Sequence, residues 1–315
     1  MRKIWIPGLI IIISIFLNSC SDEPTKPSQG CNYSIDSRLA GLYECPPNEN
    51  DCFEGVLSNT EKLKALNRLN YIRGIHGLPE VTYNSLKDVA VQKSALIAVA
   101  NQVLTHFPEP SSKCYTTLGD TACQQSNLHL SYYSSLGQVW SSAESVDGWI
   151  NERYSSSIGH RRWFLSPFLK SVSFGRVDQI KTNGQYWVAS SMWVWDSDGS
   201  TDANVEFIAC PFHDYPKSAF DKDLILSFSV LMNKTNWWSN NKVNFSNSSI
   251  QIKDESQTNY SVSDILYDTQ NYGLPNNLQW KVTGLDYNKR YNVTITNVNV
   301  NGQIKNYDYW FKIIN

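Results

Sequence analysis

The hydrophobic period of this 315-residue chain changes once, at Pro167, and that change limits what it can fold into. Before Pro167 the apolar residues recur at helical spacing. Ser58 followed by Glu61 has the capping-box pattern, and Leu63, Leu66, Leu69 and Ile72 follow it until Gly74 and Gly77. A second helix is expected from Asn84 or Ser85. It carries Leu86, Val89, Ala90, Leu96, Ile97 and Ala100, ends before Pro108 and has His106 at its close. A third is expected from Ser142 to Arg153, with Val146, Trp149 and Ile150 as its apolar face. After Pro167, Val172, Phe174 and Val177 alternate loosely with polar residues. Asn183-Gly184 is a hairpin signal, and its second arm runs from Tyr186 to Trp195. Helices followed by an antiparallel hairpin make this half α+β.

Residues 205–315 have no helical period. Leu224–Leu231, Ser249–Lys253, Leu278–Val282, Tyr291–Val298 and Tyr307–Ile313 read as strands separated by Gly, Asn and Asp turns. So many short strands suggest an immunoglobulin-like β-sandwich. About 300 residues suits two domains. Aromatic residues make up 13% of the chain and include 11 tryptophans, ample material for buried cores.

The N-terminus reads as an export signal over residues 1–20. Arg2 and Lys3 precede an apolar run from Ile4 to Leu17, too short to span a bilayer comfortably. The run ends Leu17-Asn18-Ser19-Cys20, which resembles the lipobox of bacterial lipoproteins, with Cys20 as the lipidated residue. Membrane attachment at the cell envelope follows as an expectation, with the outer membrane favoured because Ser21 is not acidic. Residues 21–57 read as a polar, Pro-rich tether and an irregular Cys-containing segment. A net charge of −2 without a basic stripe argues against a nucleic-acid partner.

Beyond Cys20 lie Cys31, Cys45, Cys52, Cys114, Cys123 and Cys210. An even number in an exported chain suggests disulfides. The short loops favour Cys45–Cys52 and Cys114–Cys123, which leaves Cys31 with Cys210. Without a Cys-x-x-Cys pair, a metal–thiolate site is disfavoured.

The candidate chemistry is one polar constellation. His106 lies in Leu104-Thr105-His106-Phe107-Pro108, Glu152 ends the third helix, and His160 lies in the turn Gly159-His160-Arg161-Arg162-Trp163. Two imidazoles and a carboxylate suit a divalent cation or a polarised water. The plainer reading makes them buried structural groups bonded to backbone or to one another. Arg161 and Arg162 read as a surface pair or as a clamp on a helix end. No His-Glu-x-x-His or Gly-x-Ser-x-Gly motif signals a hydrolase.

The segments Leu66-Asn67-Arg68-Leu69-Asn70-Tyr71-Ile72-Arg73, His76-Gly77-Leu78-Pro79, Leu104-Thr105-His106, Trp149-Ile150-Asn151-Glu152 and Gly159-His160-Arg161-Arg162-Trp163-Phe164-Leu165-Ser166-Pro167 occur in this order. Together they make residues 58–204 resemble the CAP family of cysteine-rich secretory proteins, antigen 5 and pathogenesis-related 1 proteins, most closely its bacterial SCP-like branch. The resemblance implies an α-β-α sandwich with a cleft of two histidines and two glutamates, in which some members hold a divalent cation. It assigns His106, Glu152 and His160 to that cleft and His106 and His160 to the metal. Where the family has the Glu of Gly-Glu-Asn, this chain has Ser126. Losing that carboxylate implies weak binding of a cation such as zinc, with His129 as a substitute donor. Members that bind sterols, fatty acids or proteins imply a non-catalytic binding protein, and the alternative is a metal-dependent, peptidase-like hydrolase. Relatives with β-rich C-terminal extensions agree with residues 205–315.

Overall fold

The signal at Ser58 is half realised in the computed structural model, which describes residues 31–153, 155–197 and 199–315. The export signal, Cys20 and residues 21–30 lie outside the described residues. Helix α1 (Asn59–Ile75) starts with the Ser58 hydroxyl accepting the Glu61 N–H. The Glu61 carboxylate does not fold back. It is buried and accepts the N–H and hydroxyl of Ser142, at 3.2 and 2.6 Å, so it ties α1 to the start of α4 (Ser142–Asn151). The complete capping box belongs to α4, between Ser141 and Glu144. Helix α1 ends as expected: Gly77 takes φ +65° and the Leu78 N–H returns to the Arg73 carbonyl.

Helix α2 (Asp88–Asn101) stops earlier than the sequence suggests, with Gln102 in the left-handed region at φ 55°. His106 therefore lies in the connection to α3 (Thr117–Gln124) and not on a helix. Gly159–Phe164, read from sequence as a turn, is a short helix, α5.

Preceding these helices are the short strands β1 (Tyr43–Cys45) and β2 (Val56–Leu57). The central sheet comprises β3 (Thr82–Tyr83), β4 (Ser126–Tyr133), β5 (Ser171–Ile180) and β6 (Tyr186–Trp193), in the order β3-β5-β6-β4. The hairpin at Asn183-Gly184 joins β5 and β6, with Ser173 opposite Trp193 and Ile180 opposite Tyr186. On one face α2 sets Ala95, Leu96 and Val99 against Val177 and Ala189. It crosses so closely that a Cβ on Gly175 would lie 2.5 Å from the Val91 carbonyl carbon. On the other face Leu69, Ile72, Val146, Trp149 and Ile150 of α1 and α4 cover Phe174, Val188 and Met192. Helices on both faces of one sheet make a three-layer α-β-α arrangement.

That second face also holds a buried ionic knot. Arg176 places Nε and Nη2 on the Asp178 carboxylate at 2.7 and 2.8 Å. The Tyr43 and Tyr186 hydroxyls donate to the same carboxylate.

Residues 205–315 are β-rich, as expected. One sheet runs β13-β14-β9-β7, from Val262–Asp268, Asn277–Val282, Leu226–Val230 and Phe207–Cys210. The other runs β12-β11-β15-β16-β8, from Asn259–Tyr260, Ser249–Asp254, Arg290–Val300, Gln303–Ile314 and His213–Pro216, with β10 (Val243–Asn244) also on β15. Rings of Phe207, Phe228, Tyr307 and Tyr309 meet between the sheets. Strand β13 escaped the sequence reading because it is an edge strand without alternating burial, exposing Ile265, Leu266 and Tyr267. Tyr33–Asn315 forms one compact unit, and a single apolar core runs from Leu39 to Ile313.

The expected disulfide pairing is wrong at every bond. Cys52 is bonded to Cys114, across 62 residues, which excludes both Cys45–Cys52 and Cys114–Cys123. Cys123 and Cys210 are buried free thiols, so Cys31–Cys210 does not form, although Cys31 and Cys45 are both disulfide-bonded. Sequence distance misled because the fold, and not the loop length, brings Cα atoms to the 5.0 Å separation a disulfide needs.

Candidate functional site

Glu152 is the hinge of the site. It caps the C-terminus of α4 in the left-handed region, at φ 51°, and is only 6% exposed. Its carboxylate accepts the backbone N–H groups of His160 and Arg161, at 2.6 and 3.3 Å, and the His160 Nδ1–H at 3.1 Å. Three donors on one carboxylate fix both the start of α5 and the imidazole ring. Burial pushes the Glu152 carboxyl up. The hydrogen bond from His160, then the charges of His160 and Arg161, outweigh it and hold the group below its usual range.

The Nδ1 bond turns the other ring nitrogen of His160 outward, and the side chain is 28% exposed. His106 is held the same way, its Nδ1–H donating to the Cys123 carbonyl at 2.6 Å. Each ring thus has the tautomer that leaves an Nε2 lone pair for a ligand. Among the described residues no hydrogen bond links His106 to Glu152 or His160, and no group of three His, Cys, Asp or Glu side chains is gathered to hold a metal ion.

Strand β4 separates the remaining candidates. Its alternation puts Asn127, His129 and Ser131 on the face covered by α4, and Ser126 on the other. The Asn127 amide donates to the His160 carbonyl at 3.1 Å, which adds to the site a residue the sequence did not single out. His129 shares the Ser131 hydroxyl at 2.7 Å and faces the half-exposed Trp140 ring. Burial first, then the neighbouring His160 and Arg176, lowers its pKa to about 4, so it is neutral at pH 7. Ser126 is buried, and among the described residues its hydroxyl has no hydrogen-bond partner.

Arg161 and Arg162 are not a surface pair. Both are buried, and the clamp reading holds. Arg161 donates to the Ile150 and Asn151 carbonyls, closing the C-terminus of α4, and to the Ile225 carbonyl. Arg162 binds Asp268 and the carbonyls of Gln270, Tyr272 and Leu274. Through these two side chains α5 locks the helical part to the β-rich part.

Glu152→Gln is expected to cost about 2 kcal/mol at pH 7, since it weakens a charged cap and a charge-assisted bond to His160. The pH dependence has a definite sign. A carboxyl depressed in the folded state stabilises it fully above the ordinary value of about 4.3, and that stability drains away as pH falls through the depressed value. Urea unfolding should therefore show the gap between wild type and variant closing below about pH 4. A pH-independent gap would mean that the carboxylate charge has no part in it.

A three-layer domain with an imidazole–carboxylate pair at the junction of its α4 and α5 helices is the class these features define. Residues 66–191 match the CAP model, the cysteine-rich secretory protein family. Among curated proteins none matches the chain.

Proposed function

We propose that this is a lipid-anchored envelope protein whose CAP domain binds a ligand and does not turn one over. The observation that carries this is that Glu152 is buried and committed to donors of its own chain. A general base needs a free lone pair within reach of substrate, whereas this carboxylate already serves three donors within its own chain. Among the described residues no base is hydrogen-bonded to the Ser126 hydroxyl. Anchoring rests on Cys20 and its preceding apolar run.

A divalent cation such as zinc would rest on Nε2 of His106 or His160 with water completing its shell, and so bind weakly. It would supply positive charge for an anionic ligand group. Val103, Leu104 and Phe107 beside His106 are about half-exposed or more, which favours a sterol, acyl chain or apolar protein segment as the ligand. For residues 205–315 we propose an immunoglobulin-like module. The order β7-β9-β14-β13 reproduces strands A-B-E-D, and β11-β15-β16 reproduces C-F-G.

The test pairs turnover with binding. Peptide and ester substrates should show no hydrolysis that chelator or His160→Ala removes. Fluorescent sterol should still bind after chelation and be lost in the Leu104→Asp/Phe107→Asp variant. Chelator-sensitive turnover abolished by His160→Ala would instead establish the hydrolase reading.

A further inference from the structure

Not all the tryptophans are core. Trp195, Trp163, Trp237 and Trp238 form a continuous run of rings whose successive centroids are 5.1, 6.4 and 4.6 Å apart. The two end rings are open to solvent, Trp195 at 54% and Trp238 at 53%. The two middle rings are partly buried and fixed. Trp163 belongs to α5, which Arg162 fastens, and the Trp237 indole N–H donates to the Gly273 carbonyl. The Thr201 N–H donates to the Lys234 carbonyl at 2.8 Å, which joins the segment after Trp195 to the one before Trp237.

We propose that this run is a binding platform for a neutral polysaccharide. An exposed indole face is matched by the C–H face of a pyranose ring, whose edge carries hydroxyls that need polar partners. The flanking segments 196–197, 199–202 and 233–239 supply such partners, carrying Asp, Ser, Thr, Asn, Lys and Gly but no Leu, Ile, Val, Met or Ala. An acyl-chain surface would need the missing aliphatic groups. In sequence, Asp196, Asp198 and Asp202 against Lys234 give this stretch an acidic balance, which disfavours an anionic glycan. Successive rings tilt by 47°, 41° and 48°, so they do not form the flat table that a crystalline face requires. A single twisted chain can meet each ring in turn. Because the middle rings are held in place, little order has to be created on binding.

The test is native electrophoresis through gels containing hydroxyethylcellulose, xylan, mannan or laminarin. At least one polymer should retard the protein. Trp195→Ala and Trp238→Ala should each weaken that retardation roughly tenfold, as expected for loss of one aromatic contact, and the double variant should abolish it. Tyr71→Ala, which removes an equally exposed ring on α1, should behave as wild type. An unchanged melting curve in the double variant establishes that the loss is not unfolding. Retardation by none of the four polymers overturns the proposal. So does retardation that survives in the double variant, and so does binding to phosphatidylcholine vesicles that the double variant loses.

Discussion

Asp178→Asn is expected to destabilise the fold by about 3–5 kcal/mol in urea unfolding, the largest single-residue effect in the molecule. The side chains of Arg176 and Asp178 are 1% and 0% exposed, so neither charge can turn to water. Among the described residues the carboxylate is the only anion the Arg176 guanidinium touches, and its remaining nitrogen, Nη1, donates to the Trp140 carbonyl. Asparagine preserves the shape and removes the charge, which leaves a buried cation without its counterion. The two tyrosines that share the carboxylate then lose their charged acceptor as well. Burial already pushes both phenols above their usual range, with the Asp178 charge adding to it, so neither can ionise to replace the missing anion. Replacing both partners, with Arg176→Met and Asp178→Leu, should recover much of the loss, because two well-packed apolar side chains avoid the desolvation penalty. A single-variant cost below about 1 kcal/mol would mean that water reaches the knot.

Converting Cys52 and Cys114 to serine is expected to cost about 4 kcal/mol. The bond closes a loop of 62 residues, and the chain-entropy relation gives that magnitude for a loop of this length. The loop contains all of α1 and α2, and besides the pairing of β2 with β1 and the burial of Leu57, the segment around Cys52 keeps a few polar ties. Those are Glu49 to Lys181 and Lys113, and Glu54 to Lys93. They are partly exposed ion pairs, each worth about 1 kcal/mol or less. The double-serine variant isolates this bond, whereas a reductant would also open the cystines at Cys31 and Cys45. Its midpoint in guanidinium should fall clearly below that of wild type. Coincident curves would show that the N-terminal segment adds nothing to the cooperative unit.

What the sequence revealed depended on whether the signal was local. Helix ends were legible because capping involves residues three or four apart, so Ser58 and Gly77 marked real boundaries. Even there Glu61 misled: its carboxylate left the cap for Ser142, a partner 81 residues away. The Asn183-Gly184 hairpin was legible for the same local reason. Strand β4 was not, since one face carries the polar side chains of Asn127, His129 and Ser131. The disulfides, the Arg176–Asp178 knot and the burial of Arg161 and Arg162 are contacts between distant segments, and no local pattern encodes them. Within the site, Glu152 and His160 were legible as a pair through their family motifs, and the structure joins them. Asn127 could have been found by asking which polar residues alternate onto the face of β4 that α4 covers.

The central claim is that Glu152 dictates which nitrogen of His160 meets a ligand. Long-range proton–nitrogen spectra of the histidine rings at pH 8 test it directly in the wild type and in Glu152→Gln. In the wild type His160 should carry its proton on Nδ1 and an open lone pair on Nε2, and in the variant that preference should collapse. A wild-type ring protonated on Nε2, or an identical tautomer in the two proteins, would contradict the account.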